Sequence, residues 1–497
     1  MKYFYLVFLM FFMVGCEQSP KEFVSPAEAI NYRATTPSKT LVQFIQRLDS
    51  ARSNISARFY DSIVPAHQMP LVIVDDGNYE KSEKLTLMII AQQHGNEPSG
   101  KEGVLNLLAD IANGSYNQAL KSVKLVILPQ VNPWGADRNQ RRNSNDLDLN
   151  RDHLLLNTPE IQWVQQMYHQ YQPHVVIDVH EYYPYRQSWE TFGYLKDFDI
   201  QLGGLTNPII DRSLRTLFYD EILPFVGKEL EQAGYSFFEY TLGQIHSEPR
   251  KLRHSTTHID DGRQSFGIMH SLALIIEGKN GKTENHNLKQ RSLSQEATLG
   301  SLIEYFSQNS KKVMQIVKEA QAKRTDCELY SEVGVQFSHR QSGKQLRYPL
   351  RSLATEVDTA FVVTEYFDST VVDHTVRPPK SYLIPVADSL LVQWLVRHNV
   401  RYRTFSCNFG DRLHQYHIHE SEMVENSEGW EYRQLKVQEE RFDYRENSND
   451  YFEVPVCQSA GYKIVLALEP ESMLAIHNSE TYAYLTDSSV YKILILR

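Results

Sequence analysis

Cysteine is scarce in this sequence, with four among 497 residues. So few thiols exclude a disulfide-dense scaffold and a cysteine-rich zinc array. Positive charge is not in excess either, since 51 Lys and Arg face 61 Asp and Glu, a net charge of −10. This balance argues against a role dominated by nucleic acid. The apolar content of 41% is close to the globular norm, and at about 150 residues per domain the chain is expected to form two or three folding units.

Long hydrophobic runs are also missing, apart from one near the start. Residues 3–14 are twelve consecutive apolar residues, too few for a membrane-spanning helix, which needs about 20. The run follows Lys2 and ends in M-V-G-C, whose last residue is Cys16, an arrangement typical of an export signal. It resembles the bacterial lipoprotein box, which implies cleavage before Cys16 and a lipid on its thiol. We expect an exported protein, lipid-anchored at a bacterial membrane in the periplasm or at the cell surface; an ordinary signal peptide is the alternative.

The hydrophobic pattern divides the chain into four segments. Residues 1–15 are the expected signal peptide, and residues 16–40 a polar tether. In residues 41–325 short apolar runs alternate with helical periodicity, which predicts an α/β fold with a mixed central sheet flanked by helices. Residues 326–497 carry short β-prone runs between polar turns, and they are expected to form a smaller β-rich C-terminal domain.

Individual elements follow from the same pattern. Buried strands are predicted at residues 85–91, 123–128, 175–179 and 272–276. Thr158-Pro159 predicts the start of a helix, and one long helix is expected over residues 294–323. In the β-rich part, strands are predicted at 360–364, 463–468 and 491–496, and a helix at 389–398. Three cysteines remain there: Cys327, Cys407 and Cys457. One pair can bridge in an oxidising compartment, but the sequence does not say which.

A histidine and a glutamate follow the first predicted strand. Residues 85–91 run into His94 and Glu97, and Gly95 and Pro98 keep this segment a turn. Both side chains are therefore expected on a loop at the edge of the sheet, where they can bind one cation. Alone the pattern is a weak signal, because a surface turn or a helix cap explains it equally well.

A second histidine strengthens the metal interpretation. Asp178 and His180 end a predicted buried strand, and two residues so spaced share a face of the strand. His180 lies at the carboxyl end, where open α/β sheets place their sites. Together with His94 and Glu97 it would give a tetrahedral zinc three ligands and leave one position for water. Taken alone, His180 is equally explained as a core histidine.

Two further segments carry charged side chains of possible function. Residues 138–151 contain several arginines and an Asn-Arg pair, and guanidinium groups grip carboxylates with two hydrogen bonds. A solvated charged loop is the alternative. Glu277 ends the apolar run at 272–276, where burial raises the pKa of a carboxyl toward that of a useful base. A strand-end charge that reaches solvent is the alternative there.

Taken in order, these segments resemble the zinc carboxypeptidase family of the carboxypeptidase A type. The pattern of that family is H-x-x-E, N-P-D-G, an arginine, D-x-N-R, a later histidine and a glutamate that ends a strand. Its counterparts here are His94-x-x-Glu97, Asn132-Pro133-Trp134-Gly135, Arg141, Asp148-Leu149-Asn150-Arg151, His180 and Glu277. The likeness spans roughly residues 70–320, with all six features in the family's order.

The resemblance implies one zinc ion and a role for each matched residue. Three side chains would bind the metal: His94, Glu97 and His180. Five would act around it: Asp148 orienting His94, Arg141 stabilising the oxyanion, Asn150 and Arg151 holding the substrate's terminal carboxylate, and Glu277 as general base.

Two departures from the family pattern matter. Trp134 replaces the usual aspartate, which we interpret as structural. Residues 254–262 contain no tyrosine, whereas digestive members of the family carry one in a mobile loop in this region. His258 is the candidate for its hydrogen bond to substrate. This departure bears on recognition of the terminal carboxylate more than on the zinc chemistry.

The sequence thus predicts an exported zinc metallocarboxypeptidase that acts on peptides. Two alternatives stay open. One is an amidohydrolase of the same fold that acts on N-acyl amino acids or cell-wall peptides, and the other is a non-catalytic lipoprotein that binds peptide or glycan. No nucleic-acid partner is expected. The sequence does not define the preferred side chain, the role of residues 326–497 or the oligomeric state.

Overall fold

The computed structural model describes residues 21–62, 64, 67–77, 83–325, 332–407, 412–443 and 450–497. The predicted signal peptide, Cys16 and Cys327 lie outside these ranges. Within them, no helix combines the length and the apolar character that crossing a bilayer requires.

Helices and strands alternate through the first two thirds of the chain. The α-helices are α1 (Pro26–Ala29), α2 (Ser38–Ala51), α3 (Pro98–Ala112), α4 (Pro133–Ala136), α5 (Pro159–Tyr171), α6 (Gln187–Phe192), α7 (Arg212–Leu217), α8 (Leu223–Gln232), α9 (Gly262–Gly267), α10 (Leu288–Gln308), α11 (Ser310–Thr325), α12 (Ser389–Arg397) and α13 (Gly461–Leu468). The strands up to the end of α11 are β1 (Ile55–Asp61), β2 (Gln68–Val74), β3 (Leu85–Ala91), β4 (Val123–Leu128), β5 (Val175–Tyr182), β6 (Tyr194–Leu195), β7 (Ile200–Gly203), β8 (Phe237–Glu239), β9 (Leu242–Gln244), β10 (Lys251–Arg253) and β11 (Leu272–Lys279). Those after it are β12 (Val333–Arg340), β13 (Leu346–Ser352), β14 (Asp358–Val363), β15 (Glu365–Phe367), β16 (Ser369–Val376), β17 (Ser381–Pro385), β18 (Arg403–Thr404), β19 (Leu413–Glu425), β20 (Glu431–Arg441), β21 (Tyr451–Pro455) and β22 (Leu494–Leu496).

A mixed eight-stranded sheet forms the centre of the molecule. Its strand order is β1-β2-β4-β3-β5-β11-β7-β8. The middle strands β4, β3, β5 and β11 are parallel, and they are almost wholly buried. Strands buried on both faces need helices on each side. Here α3 and α10 pack against each other and against the middle strands, and α9 and α11 also contact middle strands. The predicted α/β architecture with a mixed central sheet is confirmed.

The long helix predicted over residues 294–323 is two helices. α10 ends at Gln308 and α11 begins at Ser310, so the prediction of one helix is wrong at Asn309. The backbone N–H and the side-chain amide of Asn309 both donate to the carbonyl of Tyr305, at 3.0 and 2.9 Å. Asparagine side chains compete for backbone groups in this way, which ends the first helix.

Residues 21–40, predicted as part of a polar tether, are folded. Phe23 is buried beneath the guanidinium groups of Arg47 and Arg52, and Ser25 caps α1 and donates a 2.6 Å hydrogen bond to Asn106. Ala27 and Tyr32 are buried as well and pack against Leu288, so a few apolar side chains in a polar stretch suffice to fold this segment. The tether prediction is therefore wrong for these residues, whereas residues 16–20 lie outside the described part.

The strands after residue 332 are joined to the preceding part of the chain. β13 pairs with β6, and β15 pairs with β10. The indole N–H of Trp394 in α12 donates to the carbonyl of Leu154 at 2.9 Å, and one hydrophobic cluster includes residues from both parts. A six-stranded sheet of order β18-β21-β17-β22-β19-β20 completes the C-terminal region.

Of the four elements predicted in this region, two are present, one is shorter than predicted and one is wrong. The helix at 389–398 and the strand at 360–364 are present as α12 and β14. The strand predicted at 491–496 is confined to β22. The strand predicted at 463–468 is wrong, because these residues form helix α13, buried along nearly its whole length. A short apolar run that is buried all round carries no periodicity by which a helix and a strand can be told apart.

Candidate metal centre and active site

Three parallel strands bring their carboxyl ends to one edge of the sheet. His94 follows β3 by three residues, and His180 and Glu277 lie on β5 and β11. The β5–β11 pairing places Glu277 directly beside His180, so both side chains project from the same face of the sheet. Polar residues that end three buried strands therefore meet in one place.

His94, Glu97 and His180 converge as the sequence predicts. The Nδ1 of His94 lies 2.9 Å from Oε1 of Glu97, and the Nδ1 of His180 lies 3.0 Å from Oε2 of the same carboxylate. The two Nδ1 atoms are 3.1 Å apart. All three residues are buried, and one ligand atom from each lies within 4.8 Å of the others.

The donor set fits a zinc ion. The Nδ1 atoms of the two histidines are only 3.1 Å apart, so at most one of them carries a proton. A cation bound between them would accept the lone pairs of both nitrogens and an oxygen of the carboxylate. Two histidines and a glutamate are a known ligand set of catalytic zinc, which keeps a fourth position open. His94, Glu97 and His180 are the residues that could hold it.

The outer nitrogen of each histidine faces a carboxylate. The Nε2 of His94 lies 3.0 Å from Oδ1 of Asp148, as the resemblance implies, and the Nε2 of His180 lies 3.0 Å from Oδ1 of Asp178. Such partners fix the ring tautomer that leaves Nδ1 free for a metal. Asp178 is itself held by the Nε2 of Gln93 at 2.7 Å, and Gln93 Oε1 contacts His153 Nε2 at 2.8 Å.

Gly95 allows two loops of the site to touch. A Cβ atom at this position would lie 2.1 Å from the backbone carbon of Gly135 and 2.4 Å from the carbonyl oxygen of Gln140. No side chain fits between these backbones. The loop that carries His94 and Glu97 is thereby packed against the loop that precedes Arg141.

Glu277 has the environment of a general base. It is buried, and burial raises its pKa above that of an ordinary carboxyl, while the charges of His180 and Lys196 act in the opposite direction. The hydroxyl of Tyr240 lies close enough to this carboxylate to act on its pKa, which it lowers. The pKa of Tyr240 is raised well above its usual value by burial and by Glu277, so the phenol stays protonated.

Arg141 lies at the rim of the metal centre. Its Nη1 is 3.2 Å from Glu97 and its Nε is 3.0 Å from Asp148, while much of its side chain remains exposed. The structure thus brings this predicted residue to the ligands, with much of its side chain open to solvent.

Asn150 and Arg151 are placed differently from each other. The amide oxygen of Asn150 accepts a 2.7 Å hydrogen bond from the N–H of Gly262, and its Nδ2 lies 3.1 Å from His180 Nε2. Both ends of this amide therefore lie against groups of the protein. Arg151 is exposed, and its Nη1 donates to the carbonyl of Asn150 at 2.6 Å. Their predicted role at the terminal carboxylate stays a prediction.

His258 is held by the C-terminal region. Its Nε2 lies 3.0 Å from the side-chain Nδ2 of Asn426, and its ring centroid lies 5.7 Å from that of Trp430. The predicted contact of His258 with substrate remains a prediction.

Comparison with known proteins relates part of the chain to one family. Residues 61–188 match the zinc carboxypeptidase family, and this segment contains all three candidate metal ligands. This segment of the chain is therefore similar to the zinc carboxypeptidase family. Among curated relatives, carboxypeptidase 2 of Trichophyton rubrum is 28% identical over 273 residues, which are 52% of this chain and 50% of that protein. Carboxypeptidase E of Caenorhabditis elegans is 36% identical over 87 residues, 14% of this chain and 18% of its own.

Solved structures of metallo-carboxypeptidases are also similar to this chain. The one from Pseudomonas aeruginosa, in complex with (2-guanidinoethylmercapto)succinic acid, has 18% identity and a TM-score of 0.43, covering 57% of this chain and 71% of its own. The one from Burkholderia cenocepacia has 16% identity and a TM-score of 0.42, covering 55% and 71%. The chain spans about half the length of the curated relatives first matched.

Sequence reasoning missed two residues of the site. Tyr240 lies 37 residues before Glu277, outside the segment in which a tyrosine was sought. It follows β8, which pairs with β7, and β7 in turn pairs with β11, which carries Glu277. Lys196 follows the short strand β6, and burial lowers its pKa to about 7. Nothing in the sequence around Lys196 distinguishes it from a surface lysine.

Proposed function

We propose that the protein is an exported zinc metallocarboxypeptidase that hydrolyses the C-terminal peptide bond of peptides. The observation that carries the proposal is the convergence of His94, Glu97 and His180 with Glu277 in register beside His180. A ligand set with one open position and a buried carboxylate next to it are the parts that water-dependent amide hydrolysis requires.

Each residue of the site has its own role in the hydrolysis. A bound Zn²⁺ supplies acidification of a water molecule and polarisation of the scissile carbonyl. Glu277 takes a proton from that water and passes it to the leaving amine, and its raised pKa brings it closer to the pH at which such transfer is efficient. The protonated Tyr240 hydroxyl is near enough to Glu277 to orient this carboxylate.

Positive charge beside the metal centre serves the substrate. Arg141 lies where its exposed guanidinium can stabilise negative charge on the former carbonyl oxygen. Arg151 is available to the terminal carboxylate of the peptide, since guanidinium and carboxylate pair with two hydrogen bonds.

Replacement of Glu277 by Gln tests the general base. We expect Glu277→Gln to keep a full equivalent of zinc and to lose on the order of a hundredfold or more in kcat. Glu453→Gln is a matched control, because Glu453 is also 7% exposed but pairs with Arg403 in the C-terminal sheet. Full activity of Glu277→Gln would refute the assignment of the base.

A substrate panel separates carboxypeptidase from amidohydrolase activity. Peptides with a free C-terminus, the same peptides with a C-terminal amide, and N-acyl amino acids are incubated with the zinc-loaded protein. The proposal predicts release of the last residue from the free peptides and strong discrimination against the amidated ones. Preference for N-acyl amino acids would instead favour the amidohydrolase, and no turnover of any substrate would favour a binding protein.

We further propose export and lipid attachment at Cys16. The lipoprotein-like sequence before Cys16 supports this location, and so does the disulfide bond of Cys457, since disulfides persist in oxidising compartments.

A further inference from the structure

A long hairpin from the C-terminal region reaches the active site. Strands β19 and β20 pair antiparallel over most of their length, and the turn between them, residues 426–430, is called the hairpin tip here. The tip lies outside the segment that matches the zinc carboxypeptidase family, residues 61–188. It contacts Thr257, His258 and the guanidinium of Arg151.

Buried hydrogen bonds fix the hairpin tip in place. The carboxylate of Glu428, 1% exposed, accepts hydrogen bonds from the backbone N–H and the hydroxyl of Thr257 at 2.7 and 2.8 Å, and Arg253 lies 3.7 Å away. The amide oxygen of Asn426 accepts the N–H groups of Glu428 and Trp430 at 2.9 and 3.0 Å. These hydrogen bonds hold the hairpin tip in one conformation beside the site.

The hairpin tip presents an indole ring at the site. The guanidinium of Arg151 lies 5.9 Å from the ring centroid of Trp430, within the range of a cation–π contact, and the ring of His258 lies 5.7 Å away. Trp430 nevertheless remains 45% exposed. One part of the indole therefore contacts a predicted carboxylate-binding residue, and another part is open to whatever binds there.

We propose that Trp430 is a specificity-determining residue, whose open surface contacts a large apolar or aromatic side chain at the C-terminal end of the substrate. The inference rests on the proposed carboxypeptidase function. A peptide whose terminal carboxylate binds Arg151 must place its last side chain within a few ångströms of that guanidinium. The indole of Trp430 lies beside the same guanidinium. An aromatic or branched aliphatic side chain gains from burial against an indole, whereas a methyl group gains little.

The test compares two peptides that differ only in their last residue, Phe or Ala, on zinc-loaded protein. In Trp430→Ala we expect the KM for the Phe-ending peptide to rise about five- to tenfold, with little change in kcat, in zinc content or in the KM for the Ala-ending peptide. Trp430→Phe should restore most of the loss, because it keeps an aromatic face. Met423→Ala is the matched control, since Met423 is 56% exposed on β19 of the same hairpin.

The outcomes distinguish this inference from the proposed function. If the wild-type protein releases neither Phe nor Ala, the proposed function itself fails. If the wild-type protein is active but Trp430→Ala and Trp430→Phe both keep its KM for the Phe-ending peptide, the inference is overturned. An equal loss on both peptides overturns it as well, because a contact with the side chain must discriminate between them.

Discussion

Replacement of Asp178 by Asn is expected to weaken metal binding without touching a metal ligand. Asp178 is fully buried, and its Oδ1 lies 3.0 Å from His180 Nε2 while accepting a 2.7 Å hydrogen bond from Gln93. The asparagine oxygen can keep both contacts, because it has the same shape. What is lost is the negative charge that fixes the tautomer of His180 and strengthens it as a ligand.

The size of the effect follows from that single change. Loss of a carboxylate behind a metal-bound histidine costs about ten- to a hundredfold in affinity, or about 1.4–2.8 kcal/mol. The affinity is measured by competition for Zn²⁺ with a chromophoric chelator at neutral pH. Activity at saturating zinc should recover much of the wild-type value, since Glu277 and Arg141 are unchanged.

A buried carboxylate elsewhere provides the control. Glu469 is 1% exposed and accepts a 2.7 Å hydrogen bond from the hydroxyl of Tyr382 in the C-terminal region. Glu469→Gln makes the same chemical change, and it should leave zinc affinity at the wild-type level. If Asp178→Asn binds zinc as tightly as wild type, or if both variants lose affinity equally, the reasoning is refuted.

Two further predictions concern stability and location. Burial lowers the pKa of Lys463 to about 7, against about 10.5 for an exposed lysine, so the unfolded chain binds more protons between these values and stability should rise with pH by about 1.4 kcal/mol per unit. Lys463→Met should remove that part of the pH dependence in urea unfolding measured from neutral to mildly alkaline pH, and an unaltered slope would contradict the assignment. For location, wild type expressed in a bacterial host should incorporate labelled fatty acid and sediment with membranes, whereas Cys16→Ser should do neither; equal labelling of the two proteins would exclude Cys16 as the attachment site.

The metal site could be predicted because its parts are encoded locally. Each buried strand reads as an apolar run, and a polar residue that ends such a run points to the carboxyl edge of the sheet. His180 and Glu277 were found in this way, and His94 with Glu97 by their spacing. The carboxylate behind His94 came from the family pattern, whereas Asp178 was recognised only as sharing a face with His180.

The rest of the site depends on contacts that no local pattern encodes. Tyr240 reaches Glu277 through strand pairing, and Trp430 reaches Arg151 across 279 positions of sequence. A hairpin tip of Asn, Ser, Glu, Gly and Trp is typical of any surface turn. The misassignment of α13 has the same origin. The rest of the molecule buries this helix on nearly all sides, so its sequence has no polar face from which a helical period could be recognised.

The junction between β10 and β15 has a practical meaning for handling this protein. A fragment that stops near residue 325 would keep every metal ligand yet expose the edge of β10 and the surface that Trp394 covers, so we expect it to aggregate. Because the ligands belong to the central sheet and the hairpin tip does not, exchange of the tip between homologous chains could alter which peptides are cleaved while the reaction itself is preserved.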